Sequence, residues 1–215
     1  MATTYGAAPV PRVVAVLAGL LERAAERGDG EGSAGATAFR GRTRPGIAVR
    51  RYAERIYRYA GCSPACFVVA YVYLDRLAQR REEEEQAEVV DSYSVHRLLI
   101  TTVMVAAKFM DDIHYNNAYF ARVGGVLVSE MNGLELELLF ALRFRLNVTP
   151  ATFARYCAAL EGEMTMEPAV QDPVPLPSPS PEEERRRDQA LKDAAAATVA
   201  SRAFAAAQRA VGITQ

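Results

Sequence analysis

The chain has 215 residues, 50% of them hydrophobic, which is enough for one domain with extensions and a sizeable core. With 25 basic residues against 26 acidic it carries a net charge of −1 and lacks the basic excess of a general nucleic-acid binder, although a local basic patch stays open. Its three cysteines, Cys62, Cys66 and Cys157, have a C-x3-C spacing with no second pair, which excludes a zinc-ligand pattern and reads as reduced structural thiols of an intracellular protein.

From the N-terminus, Val13, Val16, Leu17, Leu20, Leu21 and Ala24 recur at three and four residues and predict an amphipathic helix over 12–27. Glu22, Arg23 and Glu26 fall within the same pattern, which argues against a signal peptide. No run reaches the roughly 18 apolar residues of a membrane span. "GDGEGSAGAT" (28–37) reads as a linker, so residues 1–38 form an N-terminal helix plus a Gly-rich connection. Residues 39–160 read as one helical domain. "PGIAVRRYAERIYRYA" places Pro45 in a first turn, and "SPACFVVAYVYLDRLAQRR" offers Ser63 as N-cap with Pro64 behind it and is apolar nearly all round, as a central helix is. "SVHRLLITTVMVAAKFM" begins at Ser94, and "NNAYFARVGG" is a short helix stopped by Gly124 and Gly125. "LVSEMNGLELELLFALRFRL" follows, then "TPATFARYCAALEGEM" with Thr149 as N-cap. "REEEEQAEVVD" (81–91) reads as a solvated loop. No segment alternates with period two, so the fold class is all-α. Residues 161–181 are proline-dense and read as a linker, and residues 182–215 as an Ala-rich helical tail.

Catalytic parts are scarce. There is no glycine loop for phosphates, and neither His96 nor His114 has a nucleophile beside it. Asp111, Asp112 and His114 are too few for a metal site and read as a solvated helix end. No cofactor or metal is expected. Residues 39–59 hold seven arginines (40, 42, 44, 50, 51, 55 and 58) against one acid, Glu54. That is either a solvated basic face or a surface for phosphate or an acidic partner.

Two charges do not fit their surroundings. Lys108 interrupts the apolar run "LLITTVMVAAKFM" and lines up with Arg97, Thr101 and Met104 at the edge of that helix. At about 100° per residue, Glu135 points roughly 140–160° away from Glu130 and Glu137 and falls among Met131, Leu139 and Leu142. An acid on an apolar stripe needs a donor, and Lys108 is a candidate. The two form either an internal ion pair or a charged pair at an interface that holds the exposed backbone groups of a partner helix end.

At these residues the chain resembles the cyclin family. "YVYLDRL" (71–77), "AAKFMDD" (106–112) and "LELELLFALRFRL" (134–146) stand in the order and spacing of the second, third and fifth helices of the five-helix cyclin box. "SYSVHRLLITTVMVAAKFMDDIHYNNAYFARVGGV" and "SEMNGLELELLFAL" resemble the single-box P-type (U-type) cyclins of plants, relatives of the yeast phosphate-pathway cyclin. The resemblance covers about residues 39–160.

It implies a single cyclin box with an extra N-terminal helix and a C-terminal extension. It also implies a protein that is not an enzyme but the regulatory subunit of a cyclin-dependent kinase, which it activates by holding the kinase C helix inward. The output would be cell-cycle or phosphate-signalling control. By the same resemblance Lys108 and Glu135 grip the kinase helix end, and Phe109, Leu139, Phe144 and Leu146 are the neighbouring apolar contacts. Asp75 is a structural acid paired with an arginine of the preceding helix, with Arg44, Arg50 and Arg51 all near. The hydrophobic substrate dock of mitotic cyclins is not expected, because "GIAVRRYAERI" stands in its place and the chain has no tryptophan. Ser178 and Ser180, each followed by proline, are expected phosphorylation sites for the bound kinase. Further expectations are an inhibitor or substrate protein as a third partner, no membrane, and residence in the nucleus and/or cytoplasm. The competing reading is a cyclin-fold transcription factor that binds nucleic acid through the Arg-rich first helix.

Overall fold

The computed structural model describes residues 9–30, 37–83, 90–112 and 114–166. These residues form seven helices and, among them, no strand: α1 (Arg12–Gly30), α2 (Val49–Ala60), α3 (Pro64–Glu83), α4 (Val95–Met110), α5 (Asn117–Gly124), α6 (Val128–Ala141) and α7 (Pro150–Met166). All belong to one unit, residues 1–170. The fold is all-α. The Pro-rich segment from 167, Ser178, Ser180 and the Ala-rich tail lie outside the described residues. No helix among the described residues is long and apolar enough to cross a membrane.

α3 and α4 are the centre. Every residue of α4 from Val95 to Ala107 is buried except Arg97, and Phe67, Val69, Ala70, Val72 and Tyr73 of α3 are shut off from water. α2, α5 and α6 pack against α4. On the other side of α3, Val16 of α1, Val68 and Val72 of α3, and Tyr156 and Leu160 of α7 form a second cluster. α1, read from sequence as an appendage before a linker, therefore shares the core with α2, α3 and α7. α7 runs to Met166, two residues past the segment read as helical (149–164) and past the domain boundary expected at residue 160.

Several helix ends are set by distant side chains, and this explains the shifted boundaries. α1 continues through Gly30, three residues past the expected stop. The Asp29 carboxylate accepts the Ser92 backbone N–H at 2.9 Å and the Ser92 hydroxyl, and these bonds hold its pKa below the ordinary value. α2 starts at Val49 rather than near Pro45. Its N-cap, Ala48, has no capping side chain, and Glu22 of α1 accepts the first-turn Arg50 N–H at 3.1 Å. Asp111 is not solvated as expected. Its carboxylate accepts the Ser63 N–H (3.1 Å), the Ser63 hydroxyl (2.9 Å) and the Cys66 thiol (3.3 Å), closing the start of α3. The neighbouring Cys62 and Cys66 thiols shift in opposite directions through each other, Cys62 being pushed up and Cys66 held down. Buried Asp91 pairs with Arg40 and accepts the Tyr93 and Ser94 N–H groups at 2.8 Å each, ordering the entry to α4. Arg40 is thereby committed to the fold. Thr149 caps α7 through the Thr152 N–H at 3.2 Å, as read from the sequence.

Gly124 lets α5 approach its neighbours: a Cβ there would stand 3.1 Å from both Ile100 and the Tyr52 hydroxyl, which donates to the Gly124 carbonyl at 3.0 Å. Gly125 then reverses the chain at φ 72°.

His96 supplies a pH test of this packing. Its Nε2 lies 2.8 Å from the Ile47 carbonyl, so that nitrogen carries the proton, and buried Nδ1 is the bare one, without a partner. The ring meets Tyr52 edge-on at 5.0 Å. Burial lowers the His96 pKa below 6.5, assisted by Arg44 and Arg97 and opposed by the Ile47 bond and Glu22. A histidine that is harder to protonate when folded leaves stability level above pH 6.5 and erodes it as pH falls from there toward the lower folded pKa. Denaturant midpoints are therefore expected to fall below pH 6.5 more steeply in the wild type than in His96→Gln; parallel curves would contradict this.

Candidate functional site

α4 ends at a surface shared with α5 and α6. Lys108, in the last turn of α4, sends its ammonium to Glu135 Oε1 of α6 at 2.6 Å. The two charges singled out in the sequence meet, 27 residues apart. A third residue joins them that sequence reasoning missed. Asn117, at the start of α5, accepts from Lys108 through Oδ1 and donates from Nδ2 to Glu135 Oε2 at 2.7 Å. Asn132 accepts from the same amide nitrogen at 2.8 Å. Lys108, Asn117 and Glu135 thus close a ring.

The ring does not saturate its members. An ammonium has three donors and Lys108 uses two in it; a carboxylate has about four acceptor sites and Glu135 uses two. The Lys108 and Glu135 side chains remain 26% and 20% exposed, so the spare donor and acceptors are within reach of another molecule. An ordered positive donor beside an ordered negative acceptor suits a backbone carbonyl and a backbone N–H presented together, as where a chain segment leads into a helix whose first N–H groups are unpaired.

The elements that carry the ring also carry exposed apolar side chains. Phe109 and Met110 follow Lys108 and are exposed. α6 buries only Met131, Leu134 and Leu138, yet its other side carries Val128, Leu136 and Phe140, all exposed. Beyond its end Phe144 is exposed too, and its ring meets that of Phe140 edge-on at 5.3 Å. Leu139 and Leu146 are half-buried at the margin. Leu136, Phe140 and Phe144 are 56%, 65% and 59% exposed. Fully burying a side chain of this size is worth roughly 1.5–3 kcal/mol, which this fold leaves largely unclaimed in one place. Leu136, Phe140 and Met110 were missed in the sequence. The signal was the apolar excess of "LELELLFAL", too much for a single helix face.

The other sequence-level candidates lie elsewhere. Asp75 was expected to pair with an arginine. The partners the structure gives it are neutral: the Tyr156 hydroxyl of α7 and the Gln79 amide at 2.7 Å. α7 supplies what the preceding helix was expected to supply. Burial, then the bond to Asp75, pushes the Tyr156 phenol up to about 12. On α2, Arg51 and Arg55 are exposed on one face, and Arg55 reaches the Arg122 carbonyl at 3.4 Å. Among the described residues no cluster of three or more His, Cys, Asp or Glu forms a metal-binding group.

Comparison with known proteins supplies the family. The sequence profile described as Cyclin matches residues 13–146. The chain is 55% identical over 184 residues to Cyclin-P4-1 of Oryza sativa subsp. japonica, across 80% of this chain and 85% of that protein. It is 50% identical over 171 residues to Cyclin-U4-1 of Arabidopsis thaliana, across 77% and 83% respectively. Cyclin-U1-1 of Arabidopsis thaliana is 46% identical over 170 residues, across 76% and 79%.

Proposed function

The chain belongs to the cyclin family, alongside its plant P-type and U-type members, and from that premise we propose that it binds a cyclin-dependent kinase and activates it by positioning the kinase C helix. A regulatory role with a kinase partner follows from the family; the mode of action is our reading. The observation that supports it is the ring of Lys108, Asn117 and Glu135, with unsaturated hydrogen-bonding groups, on elements that also carry exposed apolar side chains. In this reading Lys108 donates to carbonyls and Glu135 accepts from amides at an end of the kinase C helix. Phe109, Leu139, Phe144 and Leu146, joined by Met110, Leu136 and Phe140, cover the apolar side of that helix. Held inward, the helix brings its glutamate to the kinase lysine that orients the nucleotide phosphates. The chain itself performs no step of phosphoryl transfer. We place the output in cell-cycle or phosphate-response control within the nucleus and/or cytoplasm, and we propose Ser178 and Ser180 as sites the bound kinase modifies.

The test is to mix the purified chain with each of a panel of plant cyclin-dependent kinases. Complex formation is measured by gel filtration and phosphoryl transfer to a serine-proline peptide. At least one kinase is expected to co-elute with the chain and to gain activity on binding. Co-elution without gained activity would leave binding and remove activation; no co-elution with any kinase would remove both.

A further inference from the structure

The turn after α6 leaves the ordinary backbone regions without help from glycine. Arg143 and Phe144 have φ of 50° and 56°, the only non-glycine residues with positive φ among those described. Two successive left-handed residues are costly, because each Cβ crowds the following carbonyl. Burial of Phe144 does not repay that cost, since its ring is exposed. Something else must hold the turn.

Backbone bonds close the turn itself, the Arg143, Phe144 and Arg145 N–H groups donating to the Phe140, Leu139 and Leu142 carbonyls at 2.9 Å each, and α3 holds the segment that follows. The three carbonyls after Phe144 are each taken by a side chain of that helix. Arg145 O accepts from Arg76 Nη1, Leu146 O from the Tyr73 hydroxyl at 2.9 Å, and Asn147 O from Arg76 Nη2 at 2.9 Å. Tyr73 and Arg76 stand three residues apart on one helix face, and Tyr73 is wholly buried, so the clasp has a fixed base. The planar guanidinium serves two carbonyls at once, which an ammonium does not do in a fixed geometry. A cleft of about 530 Å³ lined by Arg76, Gln79, Phe144 and Asn147 lies beside the turn. Hydrogen bonds from α3 span this region. Their result is that Phe144 is turned outward against Phe140.

We infer that Arg76, with Tyr73, is a positioning residue for kinase docking: it holds the left-handed turn that presents Phe144 and Leu146. This rests on the docking reading above. The test compares wild type, Arg76→Met and Arg76→Lys, each with and without Phe144→Ala, for affinity to the kinase that wild type engages. Amide exchange at residues 143–147 of the free chain is measured alongside. Arg76→Met is expected to weaken binding about tenfold, mainly through faster dissociation. Arg76→Lys recovers little of the loss, and in the Phe144→Ala background the further loss is under about twofold. A loss of the same factor with and without Phe144, or full recovery by lysine, would overturn the role. If wild type engages no kinase, the docking reading falls. Faster exchange at 143–147 in Arg76→Met would still support the clasp, and unchanged exchange would overturn the clasp as well.

Discussion

Exchanging the two site charges, Lys108→Glu with Glu135→Lys, is expected to abolish kinase binding while the helical fold persists. The internal pair can re-form in the swapped chain. Asn117 presents one acceptor and one donor to the two charges, and a half-turn of its amide exchanges them. The pair is also partly exposed, so its net contribution to stability is small, about 1 kcal/mol. Binding has no such remedy. A partner carbonyl placed for the ammonium would face a carboxylate, and a partner N–H placed for the carboxylate would face an ammonium. Losing one member of a hydrogen-bonded charge contact in an interface costs about 2–5 kcal/mol, or about 30-fold to several thousand-fold in affinity. Calorimetric titration against the kinase, paired with thermal unfolding by circular dichroism, reads both halves. Unchanged affinity in a folded swap variant would reduce the ring to an internal brace. The single variant Lys108→Glu should be worse for stability than the swap, because it sets two carboxylates against each other.

Why were these charges legible in the sequence when their neighbours were not? Lys108 and Glu135 break a helical pattern, and a break shows against a regular background. The helices themselves were legible for the same reason: Thr149 before Pro150 and the paired glycines at 124–125 are local signals that act where they stand, whereas the Ser63 hydroxyl, expected to cap α3, goes to Asp111 instead. Asn117 gave no such signal, because an asparagine at a helix start looks like a cap. The cap of α5 is its neighbour Asn116, which accepts the Tyr119 N–H and leaves Asn117 free for the site. Non-local bonds were the main blind spot. Asp111 closes a helix start 48 residues earlier, Glu22 caps a helix 28 residues later, and Asp75 finds its tyrosine 81 residues away. The left-handed turn at Arg143 and Phe144 was invisible because neither residue type favours it, and the Arg76 and Tyr73 bonds to the carbonyls that follow it come from α3, about 70 residues earlier. Likewise α1 read as an appendage because the glycines after it suggested a loose connection, while the residues it packs against lie in α2, α3 and α7.

The apolar half of the site allows a different kind of test, because fold and binding make opposite demands on it. Phe140 and Phe144 are more than half exposed, so replacing both with alanine removes little that the free chain uses. Their edge-to-face contact is worth about 0.5–1.5 kcal/mol at most, and surface substitutions of this kind otherwise change stability by about 0.5 kcal/mol. Across an interface the same rings would be fully desolvated, where one aromatic anchor contributes about 2 kcal/mol or more. The double variant Phe140→Ala/Phe144→Ala is therefore expected to lose at least about 30-fold in kinase affinity with its melting temperature within a few degrees of wild type. The two losses should not add when taken singly, since the rings touch and each sets the other's position. By contrast Leu138→Ala, two residues before Phe140 but wholly buried, should cost about 2–5 kcal/mol of stability through the cavity it opens. If the phenylalanine pair behaves like Leu138, with melting lowered and affinity kept, the exposed face belongs to the fold and docking must be sought on another surface. If it behaves as expected, α6 serves two masters with two sets of apolar residues: Met131, Leu134 and Leu138 hold it to the core, and Leu136 and Phe140 are kept for a partner.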